Sequence, residues 1–333
     1  MSQVAIASIL NQTISFAVPL LLVALGAMYA ERSGIINIAM DGIMIIGALC
    51  GCLVLRAMDM AGWGETVLKS QLGLLLAILI AGVAGLVFSL LLAFAAINLK
   101  ADQTIGGTAL NIFAPAFCVV VAWAVQGQGL TGIAIPKWTS LNYKNFNIPG
   151  SVKTDFLPAL FKKFYITVPI AIVIFILAWF ILYHTRFGLR LRACGEHPQA
   201  ADSVGINVYK MRYSGVMISG FLGGIGGVAY VLAAGASFEG DVGGYGFLAI
   251  AVMIFGNWKP FRILFSALFF ALFRILGASF TLLPFLPKFS SLGRPSNVYN
   301  LLPYIVTIIV LVFTSKRSHA PKAEGIPYDK GQR

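Results

Sequence analysis

The chain has 333 residues, 59% of them hydrophobic and 11% charged, with a formal net charge of +12 at pH 7. That composition indicates a polytopic membrane protein, and it excludes a nucleic-acid binder because the 24 Lys and Arg are scattered between apolar runs instead of gathered on a soluble face. The four cysteines show no metal spacing and no C-x-x-C, and read as reduced packing residues. No G-x-x-x-x-G-K-[ST] occurs, so this chain is expected to bind no cofactor, and any ATP hydrolysis belongs to a partner.

In chain order, the first apolar run covers about residues 6–29. It lacks the basic start of a cleaved signal and reads as a retained span with its N-terminus outside. E-R-S-G-I-I-N-I-A-M-D-G-I-M-I-I-G-A follows, from Glu31 to Ala48. Here Gly34 and Gly42 flank an apolar segment that holds Asn37 and Asp41. Polar groups at membrane depth are expensive and face a bundle interior or a water-filled path. Glu31 and Arg32 read equally well as a solvated interfacial turn.

A second span ends near Arg56, a short external loop runs to Lys69, and a third span fills residues 72–99. The inside turn 100–103 leads into T-I-G-G-T-A-L-N-I-F-A-P-A-F, the start of the fourth span. Asn111 lies inside it, either as interhelical glue or as a path-lining group, and Pro115 predicts a kink just beyond. Residues 126–163 form the longest polar segment. By parity it is extracytoplasmic, a surface for an external binding protein or a plain connector. Long loops translocate despite positive charge, so its lysines do not overturn the orientation.

The fifth span, about 165–183, delivers the chain to T-R-F-G-L-R-L-R-A-C-G-E-H-P-Q-A-A-D-S-V-G-I, residues 185–206. Arg186, Arg190 and Arg192 would each cost about 2.5–3.5 kcal/mol at a helix centre, so this is a membrane-exit loop, and its charge places it in the cytoplasm. Pro198 suits a first helical turn and Gly205 a left-handed stop. The short helix between them, with Ala200, Ala201 and Val204 as a small apolar face, is shaped to dock in a groove of another protein. An ordinary basic loop is the competing reading.

The sixth span, about 210–234, carries Gly215, Ser219, Gly223 and Gly227 on one i, i+4 ridge, a small-xxx-small face for close helix approach. Then come Glu239 and Asp241 outside, a break at Gly243, Gly244 and Gly246, and a short apolar run ending at Lys259 and Arg262. This segment and residues 34–48 are both broken and acidic, one on each side of the membrane, which suggests an inverted repeat around a midplane path. The eighth span follows Pro260 and holds Arg274, which either snorkels outward or faces the path. A ninth span covers about 298–313, after an external loop with Pro284, Pro287 and Pro295. Residues 315–333 read as a disordered cytoplasmic tail. With 185–206 inside, Lys and Arg number fourteen inside, nine outside and one within a span.

Several of these stretches resemble the permeases of ABC importers, in the branch for nucleosides, simple sugars and branched-chain amino acids, and most closely the nucleoside type. The run Gly188–Ile206 resembles the family's coupling loop, Glu31–Gly42 its "ERSGxxNIxxEG" motif with Asp41 in place of Glu, Gly107–Asn111 its "GxALN" pattern, and Gly244–Gly256 its "GxGFxxIAVAxxG" block. The resemblance covers the chain apart from the tail. It implies an all-α transmembrane bundle over residues 1–314, of about nine spans with short or broken helices. It further implies coupling to an ATPase through Gly188, Arg190, Arg192, Ala193, Gly195, Glu196, Ala200, Ala201 and Gly205, and a translocation path drawing on Asn37, Asp41, Asn111, Glu239 and Arg274. The expected partners are a cytoplasmic ATPase holding ATP and Mg, a second and related permease chain, and an extracytoplasmic substrate-binding protein or lipoprotein, at a bacterial cytoplasmic membrane. A secondary transporter working alone lacks clear ion-relay pairs here and leaves residues 185–206 without a purpose. A scaffold membrane protein is a third reading.

Overall fold

A computed structural model describes residues 3–235, 237–279 and 320–331, with Leu301, Ile305 and Ile308. The described residues form a multi-pass helical bundle. Helices α1 (Gln3–Arg32), α2 (Met40–Met60), α3 (Val67–Ala93, continued by a π turn to Asn98) and α4 (Gln103–Gln126) come first. They are followed by α5 (Phe156–Leu160), α6 (Thr167–His184), α7 (Arg186–Glu196), α8 (Pro198–Ser203), α9 (Val208–Ala234), α10 (Tyr245–Phe255) and α11 (Pro260–Ala278). Seven of these helices, α1 to α4, α6, α9 and α11, are long and apolar enough to cross a membrane. α10, at 11 residues, rises only about 16 Å and reaches halfway through a ~30 Å hydrocarbon core. Of the expected ninth span, about residues 298–313, only Leu301, Ile305 and Ile308 are among the described residues.

Apolar runs decide where these helices form, and small residues decide how they pack. α1 and α9 are the buried centre, with α9 laid against α1, α2 and α3. The anticipated ridge faces α1 and α2: a Cβ at Gly227 would sit 2.0 Å from the Met44 carbonyl oxygen. A second ridge, Gly220 and Gly224, faces α3, where a Cβ at Gly224 would sit 2.1 Å from the Ala81 carbonyl oxygen. Backbones thus meet on two sides of α9, the close approach that drives helix association in lipid. α4 and α6 lie at the periphery and turn apolar side chains outward, among them Ile112, Val120, Ile172 and Val173.

Two expectations need correction. Residues 186–196 are not loop but the helix α7, because the Thr185 hydroxyl accepts from the Gly188 N–H and caps a run of Leu, Arg and Ala, all good helix formers. Only the second element, α8, was anticipated, with Pro198 at its start and Gly205 beyond its end at φ +82°. The described tail residues, 320–331, are also not disordered. They are folded back against the C-terminal ends of α1 and α7 and the start of α9, with Tyr328 5% exposed and Ala323 6%. The outer loop likewise carries local order, held by backbone pairing of Ile133 with Phe238 and of Leu141 with Phe164.

Candidate functional site

The chain between α1 and α2, residues 33–39, is non-helical and crosses the bundle interior with its polar groups tied to other elements. Asn37, fully buried, donates from Nδ2 to Ser219 Oγ on α9 at 2.8 Å. Asn111 on α4 donates from Nδ2 to the Ile38 carbonyl and accepts from the Gly42 N–H, both at 2.8 Å. Gln103 accepts from the Ile36 N–H at 2.7 Å. The Gln103 and Asn111 bonds satisfy backbone groups that a broken helix leaves orphaned.

Asp41, in the first turn of α2, accepts from the Gly246 N–H in the first turn of α10 at 2.8 Å. The two broken segments anticipated as a repeated pair therefore touch, although α2 is a full-length helix and only α10 is short. Gly243 and Gly244 reach that geometry with φ of +60° and +69°, which glycine adopts without strain. Two helix N-termini, each carrying partial positive charge, converge on one carboxylate.

Asn37, Asp41 and Asn111 thus share one knot, as the sequence grouped them, but in the described conformation all three serve as ties between elements. Glu239 lies apart on the outer side, accepting from Ser237 Oγ at 3.2 Å. Arg274 also lies apart. Its guanidinium stacks on Tyr245 at 4.5 Å and Phe16 at 5.6 Å, at the edge of a cavity of about 440 Å³ lined also by Asn11, Gln12, Ser15 and Lys163. The aromatic cluster of Phe16, Tyr230 and Tyr245 was missed from sequence, since its members come from three distant helices.

On the cytoplasmic side, the expected single apolar face does not form. Ala201 is 4% exposed and turned inward, packed with Cys194, Val208 and Tyr328, whereas Ala200 is exposed and Val204 is 74% exposed. A helix of six residues cannot present positions one apart on the same side. Gly188 and Gly195 also face the chain itself. A Cβ at Gly188 would sit 2.2 Å from the Ile181 carbonyl oxygen, and one at Gly195 would sit 2.4 Å from that of Arg32. Arg192 lies over the Tyr183 ring at 4.9 Å, Glu196 pairs with Arg32 at 3.8 Å, and Ala193 is half-buried. Arg190 and Gly205 remain exposed. Of the residues expected to couple, Arg190, Ala200 and Gly205 are thus exposed, together with Val204.

Behind that surface lies a second knot, missed from sequence. Trp258, just after α10, donates from Nε1 to Glu31 and accepts through its carbonyl from Arg32 at 3.1 Å. Burial pushes the Cys194 thiol up to about 11, so it stays protonated and inert, as expected of a packing cysteine.

A family model described as branched-chain amino acid transport system / permease component matches residues 9–311. The chain is similar to the guanosine ABC transporter permease protein NupQ of Bacillus subtilis (strain 168), at 41% identity over 98% of this chain and 97% of that protein. It is also similar to the nucleoside ABC transporter permease protein NupC of Lactococcus lactis subsp. cremoris, at 38% over 95% of each. A putative glucose ABC transporter permease protein, TsgC13 of Haloferax volcanii, is 30% identical over 94% of this chain and 93% of its own length. No solved structure matches.

Proposed function

Because the chain belongs to the family of branched-chain amino acid transport system permease components, we propose that it moves nucleosides inward as the membrane subunit of an ATP-driven importer. The observation that carries the solute is the gradient of likeness: 41% and 38% identity to guanosine and nucleoside permeases against 30% to a glucose permease, each over nearly the whole chain. The partners in this reading are a cytoplasmic ATPase holding ATP and Mg, a second related permease and an external binding protein or lipoprotein, in a bacterial cytoplasmic membrane. The ATPase does the covalent chemistry and this chain does none.

The geometry supports a route for the motion. A partner seated on Val204 and Ala200 would displace α8 and, through it, α7. α7 is bound to the inner end of α1 by the Glu196–Arg32 pair and by the tight seat of Gly195 on the Arg32 carbonyl. Beyond Arg32 lies the break at residues 33–39, whose Asn37 and Asp41 are bonded to α9 and α10. Shifting the break would exchange these internal bonds for bonds to a solute, one conformation preferring the ties and the other the ligand. In that reading Asn37, Asp41 and Asn111 meet the solute when the ties open, and Arg274 and Glu239 mark its outer approach.

The test is uptake of labelled guanosine, adenosine, glucose and leucine by cells with and without the gene, followed by competition among the four. Guanosine or adenosine uptake that needs both the gene and ATP supports the reading. Glucose uptake alone would replace the solute class and keep the importer.

A further inference from the structure

The described C-terminal residues make contacts that a passive tail would not. The Ala323 N–H donates to the Gly195 carbonyl at 2.8 Å, at the end of α7, and the Gly325 N–H donates to the Gly34 carbonyl at 3.2 Å, at the start of the α1–α2 break. Two residues apart, these main-chain bonds join the coupling segment to the break directly. The fit is close. A Cβ at Gly34, where φ is +94°, would sit 3.2 Å from the Ala323 carbonyl oxygen, and a Cβ at Gly325, where φ is +75°, would sit 2.8 Å from Ile36 Cδ1.

Three side-chain contacts hold the segment in place. Arg212, 1% exposed near the cytoplasmic start of α9, donates from Nη1 to the Ile326 carbonyl at 2.9 Å. Without that carbonyl the buried cation would lose a partner it needs. Tyr328 fills the inner side of α8 between Cys194, Ala201 and Val208, and its ring meets Tyr209 at 5.4 Å. Asp329 pairs with Lys100 at 2.7 Å, anchoring the far end on the turn between α3 and α4.

We propose that Pro321–Asp329 is a positioning strap of the coupling apparatus, tying α7 and α8 to the α1–α2 break so that displacement of the coupling helices reaches the break. The inference rests on the importer reading. α8 packs on α7 and α9, and the strap is what lies between its inner side and residues 34–36. With the strap gone, only the Glu196–Arg32 pair and the seat of Gly195 still link α7 to the break, and the break follows α8 less faithfully. More ATP is then hydrolysed for each solute that crosses.

The test uses the full complex of this chain with its ATPase and second permease in proteoliposomes, with Cys194 as the chain's only cysteine and guanosine as the solute. The variants are Tyr328→Ala, Gly325→Val and a chain ending at residue 319, with Tyr328→Phe as the conservative rescue. Two quantities are read: the rate at which Cys194 reacts with a maleimide, and guanosine moved per ATP hydrolysed. Uncovering Cys194 lowers its pKa towards that of a free thiol and raises its reaction rate by about tenfold or more. Guanosine per ATP falls by about 2- to 30-fold, the span of coupling energies carried through packed networks, while hydrolysis stays close to wild type. Tyr328→Phe restores both. Where the larger changes prevent insertion, Lys100→Gln, at an exposed pair, lowers guanosine per ATP in the same direction. A freed Cys194 with unchanged guanosine per ATP overturns the proposal, as does a Cys194 that stays protected in the shortened chain. A wild-type complex that hydrolyses ATP but moves no guanosine overturns the importer reading instead, and the maleimide rates still report whether the strap is docked.

Discussion

Replacing Gly246 by alanine tests the junction of the starts of α2 and α10. The added Cβ would sit 2.2 Å from the Asp41 nitrogen and 2.3 Å from its Cα. Carbon contacts settle at about 3.5–4 Å, so the two helix starts must part by roughly an ångström or more. The atoms struck are backbone, which no rotamer change can move aside. Overpacking of this kind costs about 1–3 kcal/mol, and for a chain of this size each kcal/mol lowers Tm by about 2–4 °C. The expected fall is thus about 2–12 °C, and the Asp41–Gly246 bond lengthens or breaks. The neighbouring Gly244→Ala is the control. Its Cβ meets nothing within 4 Å, but φ is +69°, so only the left-handed penalty of about 1–2 kcal/mol applies. The assay is thermal unfolding in detergent together with guanosine uptake. Gly246→Ala should lose most uptake, and Gly244→Ala should keep most of it at a modest loss of Tm. Wild-type uptake in Gly246→Ala, or greater damage from Gly244→Ala, would refute the idea that this contact transmits motion.

Asn111→Ala removes two bonds to the broken backbone, and Asn37→Ala removes one to the Ser219 hydroxyl on α9. At an average of about 0.6 kcal/mol per bond in membrane bundles, Asn111→Ala should lower Tm about twice as far. Changed solute preference in either variant marks a path residue, and unchanged preference in both would leave them as ties only. Val204→Glu should weaken co-purification of the ATPase without changing the stability of the permease, because that side chain points outward. Ala201→Glu should destabilise the permease itself, and equal effects at the two positions would contradict the assigned faces. Burial raises the Glu324 carboxyl above its usual range, partly offset by a hydrogen bond with Glu31 and by Arg32. Docking of the strap therefore favours the protonated acid. It is strongest below the ordinary carboxylate pKa of about 4.3 and weakens as pH rises through the raised value. Maleimide reaction of Cys194, corrected for thiolate content, should rise with pH in wild type and stay flat in Glu324→Gln. Single cysteines at Lys144 and His197 should react with an impermeant reagent from opposite sides of the membrane. Labelling of both from outside would reverse the topology.

Spans were legible because apolar length is read directly by a bilayer, and the breaks were legible because carboxylates and amides are costly at that depth. Asn37, Asp41 and Asn111 were singled out on that ground, and they do share one place. What they do there was not legible: a buried amide has the same composition whether it binds a solute or an orphaned carbonyl. α7 was hidden because its arginines marked an exit from the membrane, which says nothing about helix or loop outside it. The strap was hidden for a related reason. Its backbone bonds from Ala323 and Gly325 leave no side-chain signature.

The position of Asp41 joins the two ends of the argument. An acid in the first turn of α2 favours its own helix N-terminus, which is an ordinary local preference. The same carboxylate also accepts from the first turn of α10, a half-helix that enters from the opposite side of the membrane. α10 then runs to Trp258, which is bonded to Glu31 and Arg32 at the inner end of α1. The chain from Glu31 to Asp41 is therefore held to α10 at both of its ends, and α10 spans the distance between them. A rigid helix fixed at both ends of a non-helical segment lets that segment change shape only as a unit, and α7 and the strap meet it at Arg32 and Gly34. In the importer reading, motion entering at Arg32 and Gly34 therefore reaches Asn37 and Asp41 through a segment held at both ends.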